Sequence, residues 1–163
     1  MTDTGRIVLR LVVGVVFLAH GLTKLLPLGG HDGPAGTAAY FELLGLRPAY
    51  ALALIAGVFE TAGGLALVAG IYARWAAALL SLELVAAIWV AHWQHGFFIN
   101  WALTPGAGHG FEYHLVMMAA LVALALAGPG PASVDTVWRR RVDERAAGRE
   151  RVRREVTTTG LMS

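Results

Sequence analysis

Four long apolar stretches constrain the fold of this 163-residue chain more than any other feature. The hydrocarbon core of a membrane is about 30 Å thick, and a helix needs roughly 20 residues to cross it. Stretches of about this length lie at residues 7–26, 48–71, 75–93 and 111–127. The composition, 56% hydrophobic and 15% charged, is also unlike that of a soluble domain. The sequence therefore predicts an all-α integral membrane protein, folded as a four-helix bundle.

The basic residues are distributed unevenly between the two ends of these stretches. Eleven of the thirteen Lys and Arg residues fall on the side that holds both termini, and only Lys24 and Arg47 fall on the other. Lys and Arg are enriched in cytoplasmic loops, so we expect both termini in the cytoplasm and the protein in the inner or plasma membrane. Residues 1–130 are then the membrane domain, and residues 131–163 are a basic cytoplasmic tail.

The connection at residues 27–47 begins with Gly and Pro and continues with apolar and aromatic residues, including Tyr40, Phe41 and Leu44. This second part could form a short helix at the membrane interface, which we interpret as a lid over the outer face. A simple surface loop is the alternative.

Charged residues inside the apolar stretches indicate a buried polar site. A charge at the bilayer centre costs about 2.5 to 3.5 kcal/mol and usually faces the protein interior, where it has a partner. Residues spaced three and four apart share one face of the first helix: Arg10, Gly14, Phe17, Gly21 and Lys24, with His20 at the edge. The two glycines on this face allow another helix to approach closely, which predicts a packing face.

The second stretch places Glu60 near the middle of the membrane, where a carboxyl is either protonated or paired with a cation. Glu112 and His114 start the fourth stretch, at the same outer end as Lys24. We predict that an outward-facing pocket for a proton, an anion or a quinone is formed by His20, Lys24, Glu60 and Glu112. The alternatives are that Lys24 extends to the lipid headgroups, or that the whole set is a structural salt-bridge network.

Other residues are predicted to have structural roles. Arg10 and Glu83 enter from the same side of the membrane, and we expect them to form an ion pair. Gly21, Gly63 and Gly64 are expected where helices touch, because glycine lets two backbones approach.

The residue types also restrict the chemistry. The chain has no cysteine, so it forms no disulfide and carries no thiolate metal site. No metal site is predicted; the alternative is that His92 and His95, spaced three apart in "HWQH", bind a metal or haem iron together with His114. No phosphate-binding or dinucleotide-binding motif is present, and no basic patch with interleaved aromatics suggests nucleic acid.

Three segments together resemble the DoxX family of small four-helix bacterial membrane proteins. They are "RLVVGVVFLAHGLTKL", "FETAGGLALVAGIYARW" and "GPGPASVD", and the resemblance extends over residues 6–135. The positions that match the family pattern are Arg10, Gly21, Lys24, Glu60, Gly63, Gly64, Gly70, Arg74, Glu112 and Asp135. The resemblance implies an association with membrane redox chemistry, in complexes with soluble or membrane partners.

These observations favour a subunit of a membrane-associated, quinone-linked oxidoreductase system, with quinone as the expected cofactor. Whether the chain is itself an enzyme is left open. One alternative is a non-enzymatic anchor or scaffold that recruits a soluble enzyme through its basic tail. Another is a small proton-coupled transporter, which would require a homodimer because four helices are few for alternating access.

Overall fold

The computed structural model describes the backbone of residues 1–160 and the side chains of residues 1–151. Residues 1–160 form six α-helices: α1 Asp3–Leu25, α2 Gly33–Leu43, α3 Ala49–Ala69, α4 Ala73–Ala87, α5 Glu112–Ala127 and α6 Val134–Gly160. No β-strand occurs within residues 1–160, so the all-α prediction is confirmed.

Three helical segments are long and apolar enough to cross a membrane: Asp3–Leu25, Ala49–Ala69 and Ala73–His95. The third combines α4 with a π-helical turn, Ile88–His92, and a final 3₁₀ turn, Trp93–His95. Helix α5 is apolar but has only 16 residues, fewer than a straight crossing of the hydrocarbon core needs. The structure thus supplies three of the four predicted spans by length, and a shorter fourth helix.

Four helices share one apolar core. Val13 and Phe17 of α1 and Leu67 of α3 pack in it, together with residues of α4 and α5 such as Leu80 and Leu121. The opposite faces of the same helices expose large apolar side chains, for example Ile55 of α3, Leu82 of α4 and Val116 of α5. Extensive exposed apolar surface of this kind is suited to lipid rather than to water.

Helices α1 and α3 touch through glycines. A Cβ atom added to Gly64 of α3 would lie 2.5 Å from the backbone nitrogen of Leu18, and one added to Gly14 of α1 would lie 3.0 Å from the Gly64 carbonyl oxygen. Gly21 of α1 faces the backbone of Gly57 and Thr61 in the same way. The close contact therefore depends on glycine at several positions, as it does in other membrane helix pairs.

The connection between α1 and α3 contains the helix α2, which is longer than the short interfacial segment expected from the sequence. Pro34 lies in its first turn, where proline is favoured because no hydrogen bond is lost. Ala38 of α2 packs against Ala49 and Ala53 of α3. A simple surface loop, the alternative, is excluded by this helix.

The predicted ion pair between Arg10 and Glu83 is wrong. The Arg10 Nη1 and Nη2 atoms donate instead to the carbonyl oxygens of Pro129 and Ala132, each at 2.7 Å. Arg10 is 3% exposed, so it joins the start of α1 to the turn after α5 deep inside the protein. Two backbone carbonyls accept its hydrogen bonds, and the nearby carboxylate of Asp135, rather than Glu83, attracts its charge.

Helix α6 begins beside the turn between α3 and α4. The Ser133 hydroxyl accepts a hydrogen bond from the backbone N–H of Thr136 and caps α6. The carboxylate of Asp135 accepts the N–H groups of Tyr72 and Ala73 at 2.9 and 3.1 Å, and so caps α4. From Arg139 to Arg151 every described side chain of α6 is exposed.

Candidate functional site

A cavity of about 800 Å³ lies between α1, α2, α3, α4 and α5. Apolar side chains form much of its wall, including Phe17, Phe41, Leu84 and Met117. Five of the six histidines also line it: His20, His31, His92, His109 and His114. A concave, mostly apolar site with a few converging polar groups is the usual form of a small-molecule site.

The Lys24–Glu60 ion pair forms part of the cavity wall. Lys24 Nζ lies 2.6 Å from Glu60 Oε2, and the two side chains are 22% and 12% exposed. Gly57 precedes Glu60 by one helical turn, and a Cβ atom there would lie 3.1 Å from the Cβ atom of Lys24. The glycine leaves room for the lysine stem, so the ammonium can reach the carboxylate on α3.

Glu83 of α4 lies beside this pair. It interacts electrostatically with both Glu60 and Lys24, and its Oε2 atom is buried without a hydrogen-bond partner among the described residues. One lysine therefore faces two carboxyl groups. Carboxyl groups held together in this way are suited to general acid–base chemistry. The sequence interpretation, which gave Glu83 a structural role with Arg10, missed its position in the cavity.

Imidazoles continue the polar wall from this pair. His20 interacts electrostatically with Lys24 and Glu60, and His114 with His20 and His92. The His92 and His114 rings lie 3.9 Å apart, centroid to centroid. His92 Nδ1 donates to the His109 carbonyl oxygen at 2.9 Å, whereas His114 Nδ1 is buried without a partner in the described part of the chain.

We call the connected groups His20, Lys24, Glu60, Glu83 and His114 the polar cluster. Its side chains come from α1, α3, α4 and α5. The π-helical turn Ile88–His92 places Val90, Ala91 and His92 along the cavity wall beside it. Such turns are found frequently at functional sites.

Glu112 does not join the polar cluster. Its Oε2 atom accepts the backbone N–H of Ile99 at 3.1 Å, and its own N–H donates to the Phe97 carbonyl oxygen at 2.9 Å. These bonds anchor the loop before α5 to the helix start. Of the four residues predicted to share a pocket, the structure thus brings together His20, Lys24 and Glu60.

The alternative histidine metal site is not assembled. His92 and His114 line the cavity, but His95 does not, and its ring packs against Gly108. Among the residues that the structure describes, no three His, Asp or Glu side chains converge as a metal ion would require.

Gly63 and Gly64 of α3 face different neighbouring helices. Gly64 faces α1, whereas a Cβ atom on Gly63 would lie 2.9 Å from the Leu80 side chain of α4. Together with Gly21 on α1, they set how closely α1, α3 and α4 approach one another.

The sequence profile of the DoxX family matches residues 5–93, more than half of the chain. The chain belongs to the DoxX family. The matched region contains α1 to α4 and therefore Lys24, Glu60 and Glu83. Helices α5 and α6 lie beyond the matched residues, so the cavity of this DoxX protein is completed by His114 from outside them.

Relatives extend the similarity over most of this DoxX protein. The uncharacterized membrane protein Rv3486 of Mycobacterium tuberculosis is 33% identical over 143 residues, which cover 86% of this chain and 82% of the relative. The Bacillus subtilis protein named "Putative oxidoreductase CatD" is 28% identical, over 77% of this chain and 81% of its own. The inner membrane protein YqjF of Escherichia coli is 27% identical, over 83% and 92%. No solved structure gives a significant match.

The family match, the membrane proteins among the relatives and the long apolar helices all indicate that this DoxX protein is a membrane protein in contact with a lipid bilayer.

Proposed function

We propose that this DoxX protein is a subunit of a membrane-associated, quinone-linked oxidoreductase system, and that its large cavity binds the quinone headgroup. The observation that carries the proposal is the polar cluster in the wall of an apolar cavity of about 800 Å³. The name of the Bacillus subtilis relative, which includes the word oxidoreductase, supports the reaction class.

Quinone chemistry needs both parts of this site. A hydroquinone that becomes a quinone loses two electrons and two protons, and the reverse reaction takes them up. The apolar wall suits the ring and its lipid-soluble tail, while Glu83 and Glu60 accept or return protons and His114 Nδ1 offers a hydrogen bond to a ring oxygen. The electrons pass to or from a redox partner protein.

The membrane arrangement is part of the same proposal. Helix α5 is about 24 Å long at 1.5 Å per residue, and local thinning of the bilayer lets so short a helix cross as the fourth span. Its exposed face carries Leu115, Val116, Val122 and Leu126, which supports lipid contact. Both termini then lie in the cytoplasm, α6 forms the basic tail, and the cavity opens on the outer side.

Quinone binding to the purified full-length protein tests the proposal. A short-tailed quinone is titrated in neutral detergent against the wild type, His114→Gln and His95→Gln. His114 has a buried, unpartnered Nδ1 atom in the cavity, whereas His95 is exposed and does not line it. We expect His114→Gln to bind about tenfold more weakly, the loss of one buried hydrogen bond, and His95→Gln to bind as the wild type does.

Equal affinity for the wild type and both variants would place the quinone elsewhere on the protein. Absence of binding to the wild type, together with no quinone extracted from protein purified out of its native membrane, would contradict the proposal. The anchor and transporter alternatives would then be the functions to examine.

A further inference from the structure

A second cavity, of about 450 Å³, lies at the other end of the helices. Its wall combines the start of α1, the end of α3 and the first turns of α6, represented by Arg10, Val68 and Arg141. It does not share a lining residue with the larger cavity. The quinone proposal makes no use of it.

The second cavity has a positive lining. Among the described residues that line it, Arg10 and Arg141 are charged and none is acidic. Arg10 uses both of its Nη atoms on carbonyl oxygens, but its Nε atom is buried without a hydrogen-bond acceptor among the described residues. The nearby carboxylate of Asp135 already accepts two backbone N–H groups. An anionic group would therefore meet a positive lining here, with the buried charge of Arg10 behind it and the exposed guanidinium of Arg141 beside it.

The same cavity also has an apolar, exposed side. Val137 is 47% exposed and Trp138 is 64% exposed, and both lie beside the ends of two apolar spans. Tryptophan next to arginine at the end of a span is typical of the membrane–water interface. A free inorganic anion would leave these apolar side chains uncovered, whereas a lipid would cover them with its glycerol and upper acyl chains.

We propose that this second cavity binds the phosphate headgroup of an anionic phospholipid. Arg141 contacts the phosphate from α6, and Arg10 contributes positive charge from the buried wall of the cavity. Trp138 packs on the apolar part of the lipid. Anionic lipid attracts basic residues near the membrane surface, which gives the site its preference over zwitterionic lipid. The lipid thereby holds the first turns of α6 against the ends of α1 and α3.

Native mass spectrometry of the full-length protein in neutral detergent tests this site. The protein is titrated with phosphatidylglycerol, with phosphatidylcholine of the same chain length, and with inorganic phosphate. The variants are Arg141→Gln, the charge-conserving Arg141→Lys, and Arg145→Gln as the matched control. Arg145 lies one helical turn further along α6, is exposed, and does not line the cavity. Because Arg141 is also exposed, its replacement leaves the core intact.

We expect one phosphatidylglycerol to bind with about fivefold lower affinity in Arg141→Gln, which corresponds to about 1 kcal/mol. Arg141→Lys should retain most of the affinity, and Arg145→Gln should bind as the wild type does.

Four results would overturn the proposal. Equal losses in Arg141→Gln and Arg145→Gln would indicate general charge attraction along α6. Equal binding of phosphatidylcholine would remove the role of the anionic headgroup. Saturation by inorganic phosphate without lipid binding would show a site for a free anion. A protein retained on α6 in place of lipid would show a protein-docking surface.

Discussion

Lys24 of α1 and Glu60 of α3 form an ion pair of 2.6 Å between two apolar helices. The pair lies close to the glycine contact, where Gly21 faces the backbone of Thr61. The glycines bring the helix axes together, and the ion pair fixes how far one helix is displaced along the other. Helices α1 and α3 therefore determine both their own packing and the position of the Lys24–Glu60 pair.

Removal of the lysine charge should destabilise the protein. Lys24→Gln leaves two neighbouring carboxyl groups without their cation, and breaking a buried pair in this way costs about 3 kcal/mol. The Tm of the purified protein in detergent should fall by roughly 6–12 °C. Asp3→Asn is the control, because the Asp3–Arg6 pair is exposed and such pairs contribute about 1 kcal/mol or less. Equal shifts for the two variants would show that the Lys24 pair contributes no more than a surface pair does.

Glu60→Gln should cost less than Lys24→Gln. After this replacement Lys24 still interacts with Glu83, so the ammonium retains a carboxyl partner. Thermal unfolding should therefore rank the wild type above Glu60→Gln, and Glu60→Gln above Lys24→Gln. The double variant Glu60→Gln/Glu83→Gln removes both partners and should approach the cost of Lys24→Gln. An order in which Glu60→Gln is the least stable would show that Glu83 does not compensate the lysine.

A methyl group at Gly64 should separate α1 from α3. Gly64→Ala places a Cβ atom 2.5 Å from the backbone nitrogen of Leu18, and backbone cannot move aside as a side chain can. Overpacking of this kind costs typically about 1–3 kcal/mol. The matched control is Gly148→Ala on α6, where no atom lies within 4 Å and alanine favours the helix. Thermal unfolding should show opposite signs for the two variants, and a stabilised Gly64→Ala would contradict the observed contact.

Replacement of the α4 cap should loosen the start of that helix. Asp135→Ala removes the acceptor of the Tyr72 and Ala73 N–H groups, and loss of a capping side chain costs about 1 kcal/mol. Hydrogen exchange at these two amides should accelerate. Asp143→Ala, at an exposed position of α6, should leave their exchange unchanged. Unaltered exchange in Asp135→Ala would mean that other acceptors satisfy these amides.

The sequence predicts the apolar helices well because their signal is local. Length and apolar character place α1, α3 and the helical segment Ala73–His95 within a few residues of their observed ends. The spacing of Gly14, Gly21 and Lys24 also identifies the side of α1 that meets α3. Both inferences use residues on one helix, where the geometry is fixed by the helical repeat.

Contacts between distant segments were harder to predict. Opposite charges are visible in a sequence, which is why the sequence favours a pair between Arg10 and Glu83. The observed acceptors of Arg10 are the backbone carbonyls of Pro129 and Ala132. Every residue has such a carbonyl, so the sequence carries no signal for this contact. Glu83 was misplaced as a consequence. The role of His109, whose carbonyl oxygen orients the His92 ring, depends on how a loop folds back and has no sequence signal of its own.

The position of Asp135 connects α6 to the turn between α3 and α4. Its carboxylate holds the first turn of α4, and its N–H donates to the Gly70 carbonyl oxygen at 3.0 Å, so the exposed arm is fastened to the hairpin that carries Glu60 and Glu83. Asp135 thus joins the first turn of α6 to both acid-bearing helices at once. From that junction α6 extends for about 40 Å at 1.5 Å per residue.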